Sequence, residues 1–372
     1  MIRLAQPHLG EEEIAAVQEV LRSGRVAAGP QVRRFEEAFA AYVGVRHAIA
    51  TANGTAALHA ALAAAGVGPG DRVVTTPFTF VATANAILHC GAIPVFADID
   101  PVTFNLSPTS LAEVLGQLAA AGTPARAVLA VHLFGLACDM AAIAAIAAEH
   151  GAAVIEDCAQ AHGAAYSGRR VGTFGVCGTF SFYATKNMTT GEGGMVVTNS
   201  DEVAERVRQF INHGRVDRYE HAVLGYNYRM TDVSAAIGLV QLRKLETLNL
   251  RRRANAVRLS RLLGKTPDLV LPAEPAGYRH VYHQYTVRHP HRDELAAWLR
   301  ERDVETAVIY PIPLHQQPLY RELGYGRQSL PAAEEAARQV LSLPVHPGLS
   351  DDDIQAVAEA IRSFAARRVR AR

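Results

Sequence analysis

The chain has 372 residues, 49% apolar and 20% charged, and its Lys plus Arg (37) exceed Asp plus Glu (36) by one. Such a chain can bury a large core and supply two or three domains, which excludes a disordered or collagen-like protein. A net charge of +1 gives no overall field to hold nucleic acid or an anionic membrane, so any charged ligand must be caught locally.

In chain order, Ile14, Val17, Val20 and Leu21 predict a helix over 11–22. His47–Thr51 reads as a short buried strand and Ala56–Ala65 as a helix. Strands at Asp71–Thr76, Ile93–Ala97, Ala127–Leu133 and Ala152–Glu156 then alternate with helices at Val81–Cys90, Leu111–Ala119 and Met140–Glu149. Apolar strands separated by helices imply a mostly parallel sheet covered on both faces. Phe180–Tyr183 and Met195–Thr198 add two strands joined by a Gly-rich loop.

From Thr231, an expected N-cap, a helical pattern runs through Ile237, Leu239, Leu242 and Leu245 towards Leu263, the length of a bridge between domains. Strands are expected at Tyr282–Val287, Glu305–Ile309 and Val340–Leu343, and helices at Glu294–Glu301, Ala332–Arg338 and Asp352–Ala365. The chain therefore divides into a large domain, 1–245, and a smaller C-terminal α/β domain, 246–372.

Cys90, Cys138, Cys158 and Cys177 lie far apart without zinc or disulfide spacing, which implies reduced thiols in a cytoplasmic protein. The N-terminus has no apolar signal region, and uncharged stretches such as Ala141–Ala148 are too short to span a membrane. The 15 His are scattered, with no metal signature. Arg251–Arg253 and Arg367–Arg370 read as a solvated helix face and a frayed tail, since no aromatic residues interleave with them.

Four segments at the ends of predicted strands can carry chemistry, because open α/β sheets bind ligands there. Asn53-Gly54-Thr55-Ala56 could cradle a phosphate on a helix N-terminus, or be a plain turn capped by Thr55. Glu156-Asp157 ends a strand in two carboxylates that must point to opposite sides, so one at most faces a shared cleft; the alternative is a helix cap. Lys186 follows Phe180-Ser181-Phe182-Tyr183 and precedes Gly191, Gly193 and Gly194, and lysine is the side chain that forms Schiff bases. Gly225–Asp232 is polar and aromatic where a loop usually relaxes. Gly172, Gly175 and Gly178 precede a strand at the wrong spacing for a dinucleotide fingerprint, which counts against an oxidoreductase.

Together and in this order, these segments resemble the pyridoxal-phosphate (PLP) dependent sugar aminotransferases of the DegT/StrS group. Pro7–Gly10, Ser23-Gly24-Arg25, Gly29-Pro30, Pro77–Thr83, Tyr310–His315 and Leu341–Pro347 extend the resemblance over residues 5–362. It implies an aspartate-aminotransferase fold with a seven-stranded, mostly parallel sheet, and a homodimer with shared active sites. Lys186 would be the Schiff-base lysine and the proton-moving base, Asp157 the partner of the pyridinium nitrogen, and Gln160 a neighbour of the ring. Phe80 would stack on the ring; Gly54, Thr55, Ala56 and Ser181 would bind the phosphate; Asn227 would reach it from the other subunit. Glu192, Tyr310 and His315 would lie near the sugar. The implied reaction moves an amino group from an amino acid, with glutamate expected, to a nucleotide-linked keto-sugar. The loop Thr189-Thr-Gly-Glu-Gly-Gly194 looks like that of enzymes acting on 4-keto-6-deoxy sugars. A 3-keto-sugar, a keto-inositol or a non-catalytic regulatory role are the alternatives.

Overall fold

The computed structural model describes residues 1–371, with side chains through residue 368. The strands are β1 (His47–Thr51), β2 (Arg72–Thr75), β3 (Ile93–Phe96), β4 (Ala125–Val131), β5 (Ala153–Asp157), β6 (Ala165–Tyr166), β7 (Arg169–Arg170), β8 (Cys177–Ser181), β9 (Gly194–Thr198), β10 (Tyr278–Arg279), β11 (Tyr285–Arg288) and β12 (Val340–Leu343). The helices are α1 (Glu11–Ser23), α2 (Pro30–Val43), α3 (Gly54–Ala64), α4 (Ala82–His89), α5 (Pro108–Ala120), α6 (Met140–Glu149), α7 (Asp201–Phe210), α8 (Asp232–Leu263), α9 (Arg292–Arg300), α10 (Pro318–Glu322), α11 (Pro331–Gln339) and α12 (Asp351–Ala371).

Seven strands form one sheet in the order β1-β9-β8-β5-β4-β2-β3, and β9 alone runs antiparallel to its neighbours. Helices cover both faces, so the strands are mostly apolar: β8 and β9 are buried at every position. Parallel pairing brings Val131, Asp157 and Thr179 to the same edge, directly followed by the loops that carry polar side chains.

Three helices, α2, α7 and the short α10, are additional to the sequence expectation. In α2, Gly29 precedes a Pro at the first helical position, and Val32, Phe35, Phe39 and Val43 face inward. Phe35 lies 5.2 Å from Phe182 and Phe39 lies 5.0 Å from Phe180, ring to ring. Each buried ring contributes about 1.5–3 kcal/mol, so this cluster firmly seats the end of β8 and the loop beyond it. In α7, Ser200 caps the helix by accepting from the Val203 amide.

Thr231 caps α8 as expected, accepting from the Ser234 amide. The first half of α8 packs with α2 through Ala235 and Leu245, while Ala256, Leu259 and Leu263 enter a separate core with Tyr285, Leu295, Leu341 and Ile361. The strand expected at Glu305–Ile309 is reduced to a bridge between Ala307 and Ser342, leaving β11 and β12 as a two-stranded sheet. No helix among the described residues is long and apolar enough to cross a membrane.

Candidate active site

The turn from β1 into α3 is open to an anion. Asn53, not Thr55, is the cap: its Oδ1 accepts from the Ala56 amide at 2.9 Å. That contact takes Ala56 out of the set of free donors. Among the described residues, the Gly54 and Thr55 amides have no partner, and the helix dipole adds positive potential there. Gly54 is needed for a close approach, since a Cβ would sit 2.7 Å from Ser181 Cβ. Gly194 is needed for the same reason, because its Cβ would meet the Asn53 carbonyl at 2.4 Å. The Ser181 hydroxyl is thereby held against the helix start.

At the end of β5, alternation separates the two carboxylates. Glu156 faces away from this turn, accepting from the amides of Gly172 (2.7 Å), Phe174 (2.7 Å) and Gly175 (2.8 Å), with His132 Nε2 at 3.1 Å. Asp157 points the other way, accepting from Thr83 Oγ1 at 2.9 Å and from the Ala159 amide at 3.1 Å. Burial pushes the Asp157 pKa up, opposed by these two hydrogen bonds and by the charge of Lys186. Thr83, for which the sequence suggested no separate role, is itself 3.0 Å from Thr79 Oγ1; the T-x-x-x-T spacing was the available signal.

Lys186 lies in the turn beyond β8, its amide bonded to the Tyr183 carbonyl at 2.9 Å. Nζ has no hydrogen-bond partner among the described residues. Burial lowers its pKa to about 8, while Asp157 pulls it upward. Asn187 anchors the turn: its amide donates to Asn249 Oδ1 (2.8 Å) and the Val281 carbonyl (3.1 Å), and its Oδ1 faces His283 Nδ1 at 3.2 Å. Sequence reasoning did not single out Asn249 or His283, because they lie far along the chain.

Gln160 joins two segments, accepting from the Phe134 amide (2.8 Å) and donating to the Tyr310 hydroxyl (2.9 Å). The Phe80 ring stands 6.3 Å from that of Tyr310 and is 57% exposed, high for an aromatic unless something covers it. Glu192 and Asn227 are exposed. His315 is not: it has no exposed surface, and its Nε2 lies 3.3 Å from Glu334.

His132, Glu156 and Cys158 bring possible metal-ligand atoms within 4.8 Å of one another. Two of the three, His132 and Glu156, are already committed. Cys138 N–H donates to His132 Nδ1 at 3.0 Å, so the ring carries its proton on Nε2 and donates to Glu156, whose oxygens also receive three amides.

The profile of the DegT/DnrJ/EryC1/StrS aminotransferase family matches residues 7–362. A pleiotropic regulatory protein of Geobacillus stearothermophilus is 48% identical over 96% of this chain and 95% of its own. A UDP-N-acetyl-3-dehydro-α-D-glucosamine 3-aminotransferase of Acidithiobacillus ferrooxidans is 41% identical over 95% and 94%. The PLP form of a putative sugar aminotransferase of Streptococcus pneumoniae superposes with a TM-score of 0.92 at 26% identity, covering 98% and 99%.

Proposed function

Because the chain belongs to the DegT/DnrJ/EryC1/StrS aminotransferase family, we propose that it moves an amino group from an amino acid, glutamate in our reading, to a nucleotide-linked 4-keto-6-deoxyhexose. The enzyme is PLP-dependent. The residues present fit that cofactor: free amides at α3 with Ser181 for a phosphate, the buried carboxylate of Asp157 for a ring nitrogen, and an unpaired amine at Lys186. The observation that carries the proposal is this convergence of Lys186 and Asp157 at neighbouring strand ends.

PLP supplies an aldehyde that takes up the amine and a ring that draws electron density from the carbon losing its proton. In our reading Lys186 Nζ accepts the proton from the donor's α-carbon and returns it to the sugar side, because its lowered pKa leaves much of it neutral near pH 8. Asp157 keeps a proton on the ring nitrogen. Gly54, Thr55 and Ser181 fix the phosphate, with Ala56 contributing the helix turn rather than an amide. Phe80 covers one ring face, and Gln160 keeps Tyr310 beside the other components. Glu192 and Tyr310 are proposed at the sugar. His315, the third residue read near the sugar, is buried with its Nε2 against Glu334.

We place the domain division at residue 246, and read the protein as a cytoplasmic homodimer whose partner supplies Asn227. The four cysteines are free, as that location requires. A 3-keto-sugar is the second reading, favoured by the Acidithiobacillus relative. Comparing kcat/KM for matched 4-keto and 3-keto nucleotide sugars, with glutamate as donor, tests the choice; preference for the 3-keto compound overturns it. A regulatory role without catalysis would show as no amination of either sugar or of a keto-inositol.

A further inference from the structure

Pro7–Gly10 and the acids that follow it have no part in the site described above, yet they reach its Gly-rich loop from behind. Glu13 opens α1 but is only 3% exposed. Its Oε2 accepts from the Gly10 amide at 2.8 Å, its Oε1 accepts from Gln241 Nε2 at 2.8 Å, and Lys244 Nζ lies 2.9 and 3.0 Å from the two oxygens. Burial pushes the Glu13 pKa up, but the hydrogen bonds from Gln241, Lys244 and Gly10 outweigh it, so the carboxyl is lowered from its ordinary value and stays charged. A buried network satisfied in this way holds its members in one arrangement.

Gln241, on α8 and 1% exposed, is oriented by that carboxylate. Its Nε2 donates to Glu13 and to the His8 carbonyl (2.7 Å), both of which only accept, so its Oε1 must face the other way. There it accepts from the Thr189 amide at 3.3 Å. Thr189 passes the constraint along the loop: its Oγ1 donates to the Phe182 carbonyl at 3.0 Å and accepts from the Gly191 amide at 2.9 Å. Thr190 Oγ1 then donates to the Glu192 carbonyl at 2.6 Å. This loop borders the anion-binding turn. Gly194 pairs with Ser181 across β8 and β9, and a Cβ on it would stand 2.4 Å from the Asn53 carbonyl. Glu192, two residues earlier, is exposed at that border.

We propose that Gln241, oriented by Glu13, is a positioning residue for the acceptor sugar: it holds the 189–192 loop so that the Glu192 carboxylate meets the sugar's hydroxyls. This rests on the reading above that places Glu192 at the sugar. A carboxylate beside the anion-binding turn repels a second anion and accepts from hydroxyl groups, which a sugar supplies and a further phosphate does not. The turn carrying Lys186 has anchors of its own, since Asn187 donates to Asn249 and to the Val281 carbonyl. Loosening Gln241 therefore acts on the sugar side of the reaction and spares the donor side.

The test uses the PLP-loaded enzyme with glutamate and whichever of the matched 4-keto and 3-keto nucleotide sugars wild type aminates faster. Q241M keeps the side chain's volume and removes its polar groups. It is expected to lower kcat/KM for the sugar at least about tenfold, while the rate at which glutamate bleaches the visible colour stays within about twofold of wild type. E192A should show the same one-sided loss. Because Gln241 acts through Glu192, the double variant should fall no further than E192A alone, whereas independent losses multiply. T189A should behave as Q241M does, and T189S, which keeps the hydroxyl, should restore the wild-type values. An unchanged sugar kcat/KM in Q241M or in E192A overturns the proposal. So do multiplied losses in the double variant, or bleaching slowed as much as amination, which marks general damage to the fold. If Q241M does not fold, the Thr189 pair decides: T189A without a loss, or a loss that T189S does not restore, overturns it as well. Wild type bleached by glutamate keeps the aminotransferase reading intact in each of these outcomes; wild type that neither bleaches nor aminates either sugar sinks both.

Discussion

Thr83 Oγ1 lies 2.9 Å from Asp157 Oδ2 and 3.0 Å from Thr79 Oγ1. An ionised carboxylate only accepts, so the Thr83 proton points to Asp157 and the Thr79 proton to Thr83. This relay favours the charged form of a carboxyl whose pKa burial has raised. A hydrogen bond to a charged group is worth about 1.5–3 kcal/mol, so T83V should lower kcat by roughly 10- to 100-fold, with T83S close to wild type. In T83V the pH at which the bound cofactor's visible spectrum reports protonation of Asp157 should rise. A spectrum that titrates as in wild type would show that Thr83 does not control Asp157.

The same burial has a consequence for the cofactor-free protein. The folded pKa of Asp157 lies above its ordinary 3.8, so its contribution to stability is fully present below that value and is lost as pH rises through the folded pKa. D157N removes the carboxyl that must ionise inside the protein. Without cofactor, at neutral pH, D157N should melt at or above the wild-type temperature while losing turnover. A lower melting temperature at pH 7 would mean that the charge is better compensated than its environment implies.

Lys186 makes the site sensitive to alkaline pH. Its amine titrates at about 8, so the neutral, nucleophilic fraction grows with pH and levels off above that value. The rate at which apo-protein captures PLP should follow this curve. Asp157 pulls the Lys186 pKa upward, so the midpoint should move to lower pH in D157N. Borohydride treatment of the loaded enzyme should place the label on Lys186 in a peptide map. A label on another lysine, or a midpoint that stays put in D157N, removes this lysine from its role.

Glu156 is adjacent to Asp157 yet belongs to the scaffold. Removing its side chain strands the buried Gly172 amide and His132 ring and the half-buried amides of Phe174 and Gly175. E156A should cost about 3–5 kcal/mol, read in denaturant unfolding, while the surviving folded fraction keeps its kcat within a few-fold. Equal losses of turnover in E156A and D157A would contradict the division of labour along β5.

That division marks how far the sequence was readable. Strand alternation in β5 stated that the two carboxylates part, but which one faces the site depends on α4 delivering Thr83 and on the loop at 172–175 receiving Glu156. The α/β alternation was legible because its strands are buried on both faces. The periodicity of Val32, Phe35, Phe39 and Val43 in α2 was present, and Pro30 marked its start. The strand expected at 305–309 shrank to a bridge because only Ala307 pairs with β12. Arg252, 5% exposed, was hidden between two arginines that do meet solvent or an acid, and only the fold around α8 distinguishes it. His315 illustrates the opposite limit: its motif suggested the sugar, while burial against Glu334 closes it off.

Asn227 supplies the last prediction. Its backbone is fixed by the neighbouring amides of Tyr226 and Tyr228, which donate to the Phe210 and Ile211 carbonyls at 2.7 and 2.9 Å. Its side chain is exposed and makes no hydrogen bond among the described residues, in a loop where Tyr219 and Leu224 are 82% and 81% exposed. Large apolar side chains left bare beside a fixed polar one suit a surface covered by a second copy of the chain. If Asn227 reaches the partner's phosphate, K186A and N227A are each inactive, but a hybrid dimer contains one site with both residues intact. Random exchange of equal amounts makes half the dimers hybrids, each with one working site, so about a quarter of wild-type activity should return. Mass spectrometry of the mixture establishes that exchange took place. No recovery in a mixture proven to contain hybrids would mean that each site is built within one chain, and that the exposed loop serves another purpose.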